Sequence, residues 1–401
     1  MIKFALRPNL IYILQLLIWT ALRKVERIIM SEVLGFGNSS IFTSLMFLGE
    51  FLGGLVIYIY QERFLSKKQQ EPTKFMSIIL RKASDELIPR DKIAKIYILI
   101  FFTAFFDFIE FTLSASYLNK FVNLSGSLES RLSGILTISS ALFFYYVLKL
   151  PIFKHQYFSL LIIGFCLIIV IITEFFFQKI NIFISYGLFI QALLVIFAIH
   201  LFNSLLDSIE KYLFEYDYFN PFKTLMWEGI FGFIITLIYH FYDNPLNDIK
   251  KFYINKEIED LIVLIILFII YVILCGGRNV FRIITNKIYS PMAKTLTDYF
   301  LNPIYIIIDF ARGKDFLIED SLRIPYFIIN LIISFIITIC GCVYNEFIVL
   351  FCFKFEYETH DQIAMRASFF LKEFSASSDD NSIEANRDNN TNDINSMLNY
   401  Y

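Results

Sequence analysis

Asp107 and Glu110 stand three residues apart in a run crowded with Phe101, Phe102, Phe105, Phe106 and Phe108. On a helix, that spacing puts both carboxyls on one face. Two carboxylates so close resist ionising together, which suits them to carrying a proton or a cation. The plainer role is polar contact with a neighbouring helix. Further charges sit in apolar surroundings. Glu50 precedes Gly53 and Gly54, and Glu228 precedes Gly229 and Gly232. Glycines let helices approach closely, so these two acids read as gating or packing residues, bonding a neighbour's backbone or reaching a ligand. Arg278 and Arg282 share a face at i, i+4. Arg278 and Asn279 lie deep enough to line a cavity. Arg282 reads as an interfacial flank whose long side chain snorkels to water. Glu129 with Arg131, and Lys294 with Asp298, mark two helix starts. They read as gates that close one side at a time, or as buried neutralising pairs. Asp107, Glu110, Arg131, Arg278, Asn279 and Asp298 are thus the candidate substrate-binding residues.

What these residues require follows from where they must sit. Of the 401 residues, 57% are apolar and only 18% charged, and the mean hydropathy is +0.60. Ordinary soluble domains carry about a quarter charged residues. This composition cannot clothe a soluble surface, and it excludes disordered, collagenous and disulfide-rich classes. A charge at mid-bilayer costs about 2.5–3.5 kcal/mol on insertion scales, so each needs a partner, an aqueous cavity or a function. An ionised Asp107 facing lipid is excluded on that ground.

Apolar stretches fall near 4–22, 39–60, 96–118, 132–149, 156–177, 182–204, 223–241, 258–280, 291–310 and 324–353. Each can cross a hydrocarbon core of roughly 30 Å. The sequence therefore predicts an all-α integral membrane protein with ten transmembrane helices. With the N-terminus in the cytoplasm, cytoplasmic segments carry 23 of the 35 Lys and Arg residues. That bias favours this orientation. The loop 61–95 dominates the count and is the one sizeable soluble connection. The sequons at Asn38 and Asn123 then face the lumen or exterior. The first apolar run reads as a signal anchor. The polar segment 374–401 cannot bury enough apolar surface to fold.

Five stretches precede residue 178 and five follow 182. An odd number of spans per half forces opposite orientations, the arrangement of an inverted repeat. Residues 1–178 form the first five-helix unit and 182–355 the second. Glu50 with its glycines and Glu228 with its glycines are counterparts, and both 127–131 and 290–294 are polar helix starts feeding apolar runs.

The order of these marks resembles the drug/metabolite transporter superfamily, with its EamA-type repeats, and within it the F-type branch of the solute carrier 35 family (member F6-like). The resemblance rests on 45–50 (LMFLGE), Asp107, 228–233 (EGIFGF), Thr285-Asn286-Lys287, 295–298 (TLTD), and Gly341 with Tyr344-Asn345-Glu346. It covers about residues 4–353. Two departures stand out. The family's Arg directly before the glycine of span 4 is displaced here to Arg131-Leu132-Ser133-Gly134, and span 8 ends with Arg278-Asn279 where an uncharged stretch belongs. The resemblance implies alternating access of a small organic solute, such as a nucleotide sugar or another organic ion.

No catalytic motif is present, so the chain reads as not an enzyme. No cofactor is indicated. The five cysteines lie in or beside apolar runs with no CxxC pair and only four histidines, which argues against a metal site. The net charge of −2 gives no sign of a nucleic-acid partner. Expected partners are a solute and the lipid bilayer, with a homodimer or a membrane complex left open. An endomembrane (Golgi, lysosomal or vacuolar) is favoured over the plasma membrane, and a mitochondrial membrane stays open. The rival reading is a non-transporting membrane subunit that keeps the transporter fold. A channel ranks lower, because no rings of pore-lining residues appear. A water-filled chamber lined by Asp107, Arg131, Asn279 and Asp298 would favour transport, and a core plugged by Phe and Tyr would favour the scaffold.

Overall fold

A backbone in lipid must satisfy its own polar groups, so apolar runs of bilayer length become helices. A computed structural model describes residues 2–4, 10–30, 34–35, 39–61, 63, 90–114, 126–149, 151–177, 185–243, 250, 254, 258–288, 291–312, 320–350, 355 and 359. Most of loop 61–95 (including Ser66), both sequon asparagines and the segment 374–401 lie outside the described residues. The helices are α1 (Leu10–Ile28), α2 (Ser39–Tyr60), α3 (Arg90–Thr112), α4 (Gly126–Arg131), α5 (Gly134–Tyr146), α6 (Lys154–Phe177), α7 (Ser185–Glu215), α8 (Pro221–Asp243), α9 (Ile258–Ile288), α10 (Pro291–Arg312) and α11 (Asp320–Tyr344). Two short strands, β1 (Ile2–Phe4) and β2 (Ile348–Leu350), pair antiparallel, with Lys3 opposite Val349.

Every predicted stretch coincides with a helix, or with the broken pair α4–α5. Among the described residues, six helices are long and apolar enough to cross a membrane: α2, α6, α7, α8, α9 and α11. Their outward faces carry exposed Ile, Leu, Val and Phe in the manner of lipid-facing surfaces, as at Ile262, Ile266, Ile269 and Ile273 of α9. Helix ends differ from expectation in a consistent way. Helix α7 continues past 204 to Glu215 and α9 past 280 to Ile288, because Asp207, Glu210, Lys211 and Arg282 are buried rather than solvated. Helix α11 stops at Tyr344, short of the apolar stretch's expected end at 353, and β2 follows. Glu346 takes a left-handed backbone (φ 59°) between them.

The principal packing pairs are α2 on α8 and α9, α3 on α7 and α8, α1 on α9 and α10, α5 on α6, α7 and α10, and α11 on α6 and α10. The α2–α8 crossing is glycine-lined. A Cβ on Gly54 would lie 2.6 Å from the Met226 nitrogen, and one on Gly229 would run into the Phe51 backbone. Gly49 meets α9 just as closely, with Val272 O 2.6 Å from its would-be Cβ. The start of α8 is fixed locally. Pro221 occupies its first position, and Asn220 Oδ1 accepts from the amides of Phe222 (2.9 Å) and Lys223 (3.4 Å), a side-chain N-cap. Asn220 Nδ2 also donates to Gln61 Oε1 (3.0 Å), tying the end of α2 to this cap.

Pro303 lies inside α10. A proline has no N–H, so the carbonyl four residues back, that of Tyr299, loses its helical donor. Thr338 of α11 supplies one: its hydroxyl lies 2.9 Å from Tyr299 O, shared with Ser334 O at 2.8 Å. The Tyr299 hydroxyl in turn bonds Thr137 of α5, and Thr137 Oγ1 is 3.0 Å from Thr295 Oγ1. Thus α5, α10 and α11 are joined by hydrogen bonds at the point where the proline would otherwise leave a gap.

Candidate functional site: a buried carboxylate–guanidinium centre

Where α2, α7, α8 and α9 converge, one nitrogen of Arg282 faces three carboxylates. Nη2 lies 3.0 Å from Glu210 Oε1, 3.1 Å from Glu228 Oε2 and 3.8 Å from Glu50 Oε1. All three glutamates are 0% exposed, and Arg282 is 3% exposed. The small residues at the α2–α8–α9 crossing make this convergence possible, since bulkier ones would hold the helices apart. Asn279 Nδ2 donates to Glu50 Oε1 (2.7 Å), and Arg278 Nη1 donates to Asn279 Oδ1 (2.9 Å). Asn286, one turn beyond Arg282, donates to Glu210 Oε2 (2.5 Å) and Asp207 Oδ1 (3.2 Å). Lys294 of α10 closes the chain of contacts, giving hydrogen bonds to both oxygens of Asp207 (2.9 and 3.0 Å) and to Asn203 (2.7 Å).

The candidate residues distribute over three places. Glu50, Glu228, Asn279, Arg278 and Lys294 belong to this centre. Asp107 is 8% exposed and faces inward, among the neighbours of Glu50, Glu228 and Arg278. Glu110, Glu129 and Asp298 are half-buried. Glu110 shares Arg278 with Asp107, while Glu129 and Asp298 share Lys24 of α1. Arg131 lies in a separate buried trio, giving hydrogen bonds to Glu174 of α6 and to the Tyr326 hydroxyl of α11.

Neither pair of opposite charges expected at the helix starts forms. Residues two apart on a helix point to different sides, so Arg131 turns to Glu174, while Glu129 accepts from Ser114 Oγ (3.1 and 3.2 Å). Lys294 is drawn to Asp207 on α7 instead of Asp298 on its own helix. Arg282 is a further correction. It does not snorkel: enclosed by three carboxylates, it gains more from them than a flank position offers.

Sequence reasoning missed Asp207, Glu210, Glu174 and Asn286. A signal existed for the first two: Asp207-Ser-Ile-Glu210 repeats the spacing of Asp107-Phe-Ile-Glu110. Glu174 is the one acid in the apolar run 156–177, the same mark that singled out Glu50 and Glu228. Among the described residues, no group of His, Cys, Asp and Glu is arranged to hold a metal ion.

Long apolar helices packed around a buried charge cluster define the chain as an all-α multi-pass membrane protein. No protein-family model matches its sequence, and no curated protein does.

Proposed function

We propose that the chain is a transporter that moves a small organic solute by alternating access. It would use ten spans arranged as two inverted five-helix halves, in the manner of the drug/metabolite transporter superfamily. The observation that carries this reading is an exchange symmetry in the packing. Let α1, α2, α3, α5 and α6 trade places with α7, α8, α9, α10 and α11. The pairing of α2 with α9 then becomes that of α8 with α3, and α1 with α9 becomes α7 with α3. Likewise α1 with α10 becomes α7 with α5, and α10 with α11 becomes α5 with α6, while α2–α8, α5–α10 and α6–α11 map onto themselves. Counterpart residues Glu50 and Glu228 meet at the α2–α8 crossing, around a single guanidinium. Five helices per half invert one half relative to the other, which is what alternating access needs.

The solute would be bound among Asp107, Glu110, Glu129, Arg278 and Asp298, polar groups of α3, α4, α9 and α10 that lipid cannot solvate. The scaffold reading draws support from a different observation: Arg131, Lys294 and Arg282 are all engaged by acids of the chain itself. Purified protein in liposomes, offered a panel of labelled organic anions, cations, zwitterions and nucleotide sugars, separates the two. Saturable flux of one class is expected. In Asp107→Asn the protein should still insert, because Asn keeps the shape and hydrogen bonding of the side chain, while flux of the solute falls. No flux for any class would favour the scaffold.

A further inference from the structure

Five carboxyls, those of Glu50, Asp107, Asp207, Glu210 and Glu228, gather around three cations, Arg278, Arg282 and Lys294. Lys294 is taken by Asp207. Arg278 faces Asp107. Glu210 has Asn286 on one oxygen; its other oxygen makes no hydrogen bond but keeps a countercharge, Arg282 Nη2 at 3.0 Å. Glu50 and Glu228 are left with one satisfied oxygen each. Glu50 Oε2 and Glu228 Oε1 are buried with no hydrogen-bond partner. Arg282 does not relieve this. Nη2 has two hydrogens for three carboxylates, and Nε has no partner. Buried negative charge without a countercharge is costly, and a carboxyl in that position neutralises itself by taking up a proton.

We propose that Glu50 and Glu228 hold one exchangeable proton between them, so that the Arg282 centre is a proton-binding site shared by the two halves of the chain. The proton comes from water. It forms an O–H bond on one of the two orphaned oxygens, neutralising that carboxyl, and it is released to water when the centre opens. Facing the pair are Thr103 and Asp107 from α3, Glu210 from α7, and Cys275, Arg278 and Arg282 from α9, with Asp207 behind Glu210. Lys294 of α10 acts through Asp207 and Glu210. With the proton present, α2 and α8 are held together across their glycine seam. Without it, two carboxylates confront each other and favour separation. This site deepens the transporter reading by giving it a coupling ion.

Infrared difference spectroscopy of the full-length protein in lipid vesicles, stepped from about pH 5 to about pH 9 with no solute present, reads buried protonated carboxyls directly. Glu26 is buried on α1 with both oxygens unpaired and would add a band of its own, so Glu26→Gln serves as the background. A protonated-carboxyl band that disappears at high pH is expected, with one component lost in Glu50→Gln and equally in Glu228→Gln. Loss in neither variant, or in only one, overturns the shared proton. Should either variant fail to fold, Asn279→Leu removes Glu50's donor. The band should then persist to higher pH than in the parent, and an unmoved band overturns the proposal. Because no solute is involved, a chain that moves nothing in liposomes would sink the transport reading and leave this result standing.

Discussion

Removing Arg282 is a different act from removing one of its acids. Arg282→Leu strands Glu50, Glu210 and Glu228 in a dry core, and breaking a buried ion pair from one side costs about 3–5 kcal/mol. Adding Glu228→Gln to Arg282→Leu withdraws one uncompensated charge and should recover part of that loss. Unfolding of the purified variants in micelles measures both, and an Arg282→Leu protein as stable as wild type would show that the guanidinium holds nothing together. The residues of this centre were unevenly legible. Glu50 and Glu228 announced themselves as lone acids in apolar runs, and Asp107 as one of a close pair with Glu110. Arg282 did not. It sits just past the apolar run 258–280, where a cation ordinarily reaches for water, and only the acids of three other helices reverse that. No local pattern states that Glu210 comes within 3.0 Å of it from 72 positions away.

At the scale of elements, the proline inside α10 offers a sharper test than any helix end. Thr338→Val deprives the Tyr299 carbonyl of its donor, and a buried unsatisfied polar group costs about 1–3 kcal/mol. Pro303→Ala returns the missing N–H within α10. The single change Thr338→Val should therefore destabilise the protein, and the double change should cost less than the sum of the two. Thermal unfolding of the four proteins in the cycle checks this, and strict additivity would mean that Thr338 and Pro303 do not compensate each other. Helix positions were readable because apolar length alone dictates them. Helix ends were not, since charge stops a sequence-based span whether or not the folded chain buries it. Lys211 illustrates this: 7% exposed, it reaches the backbone oxygens of Asn286 and Lys287 and so lets α7 run on.

For the whole molecule, the pairing of β1 with β2 puts the beginning of the chain and the end of α11 on one side of the bundle. That requires an even number of crossings between them, as ten would give. Cysteines introduced at Lys3 and Val349, opposite each other in the antiparallel register, should form a disulfide under mild oxidation. A protein in which the two remain separately labelled, from opposite faces of sealed vesicles, would refute the pairing and the even count together. The expectation of two halves rests on a repeated order of acids and glycines in the sequence. The way the helices interlock was not legible there, because partners such as α1 and α9 are joined by tertiary packing that no single stretch encodes.

The same two strands have a consequence for how the molecule is made. Strand β1 is synthesised before every helix described and β2 after them, so β1 has nothing to pair with until all of those helices have been made. Contacts between such distant positions are the slowest to close. Until then the leading strand has open hydrogen-bonding groups, and a truncated chain that ends before β2 can never cover them. The clasp therefore reports on the helices it encloses: only a molecule in which α11 has been made can fasten β1.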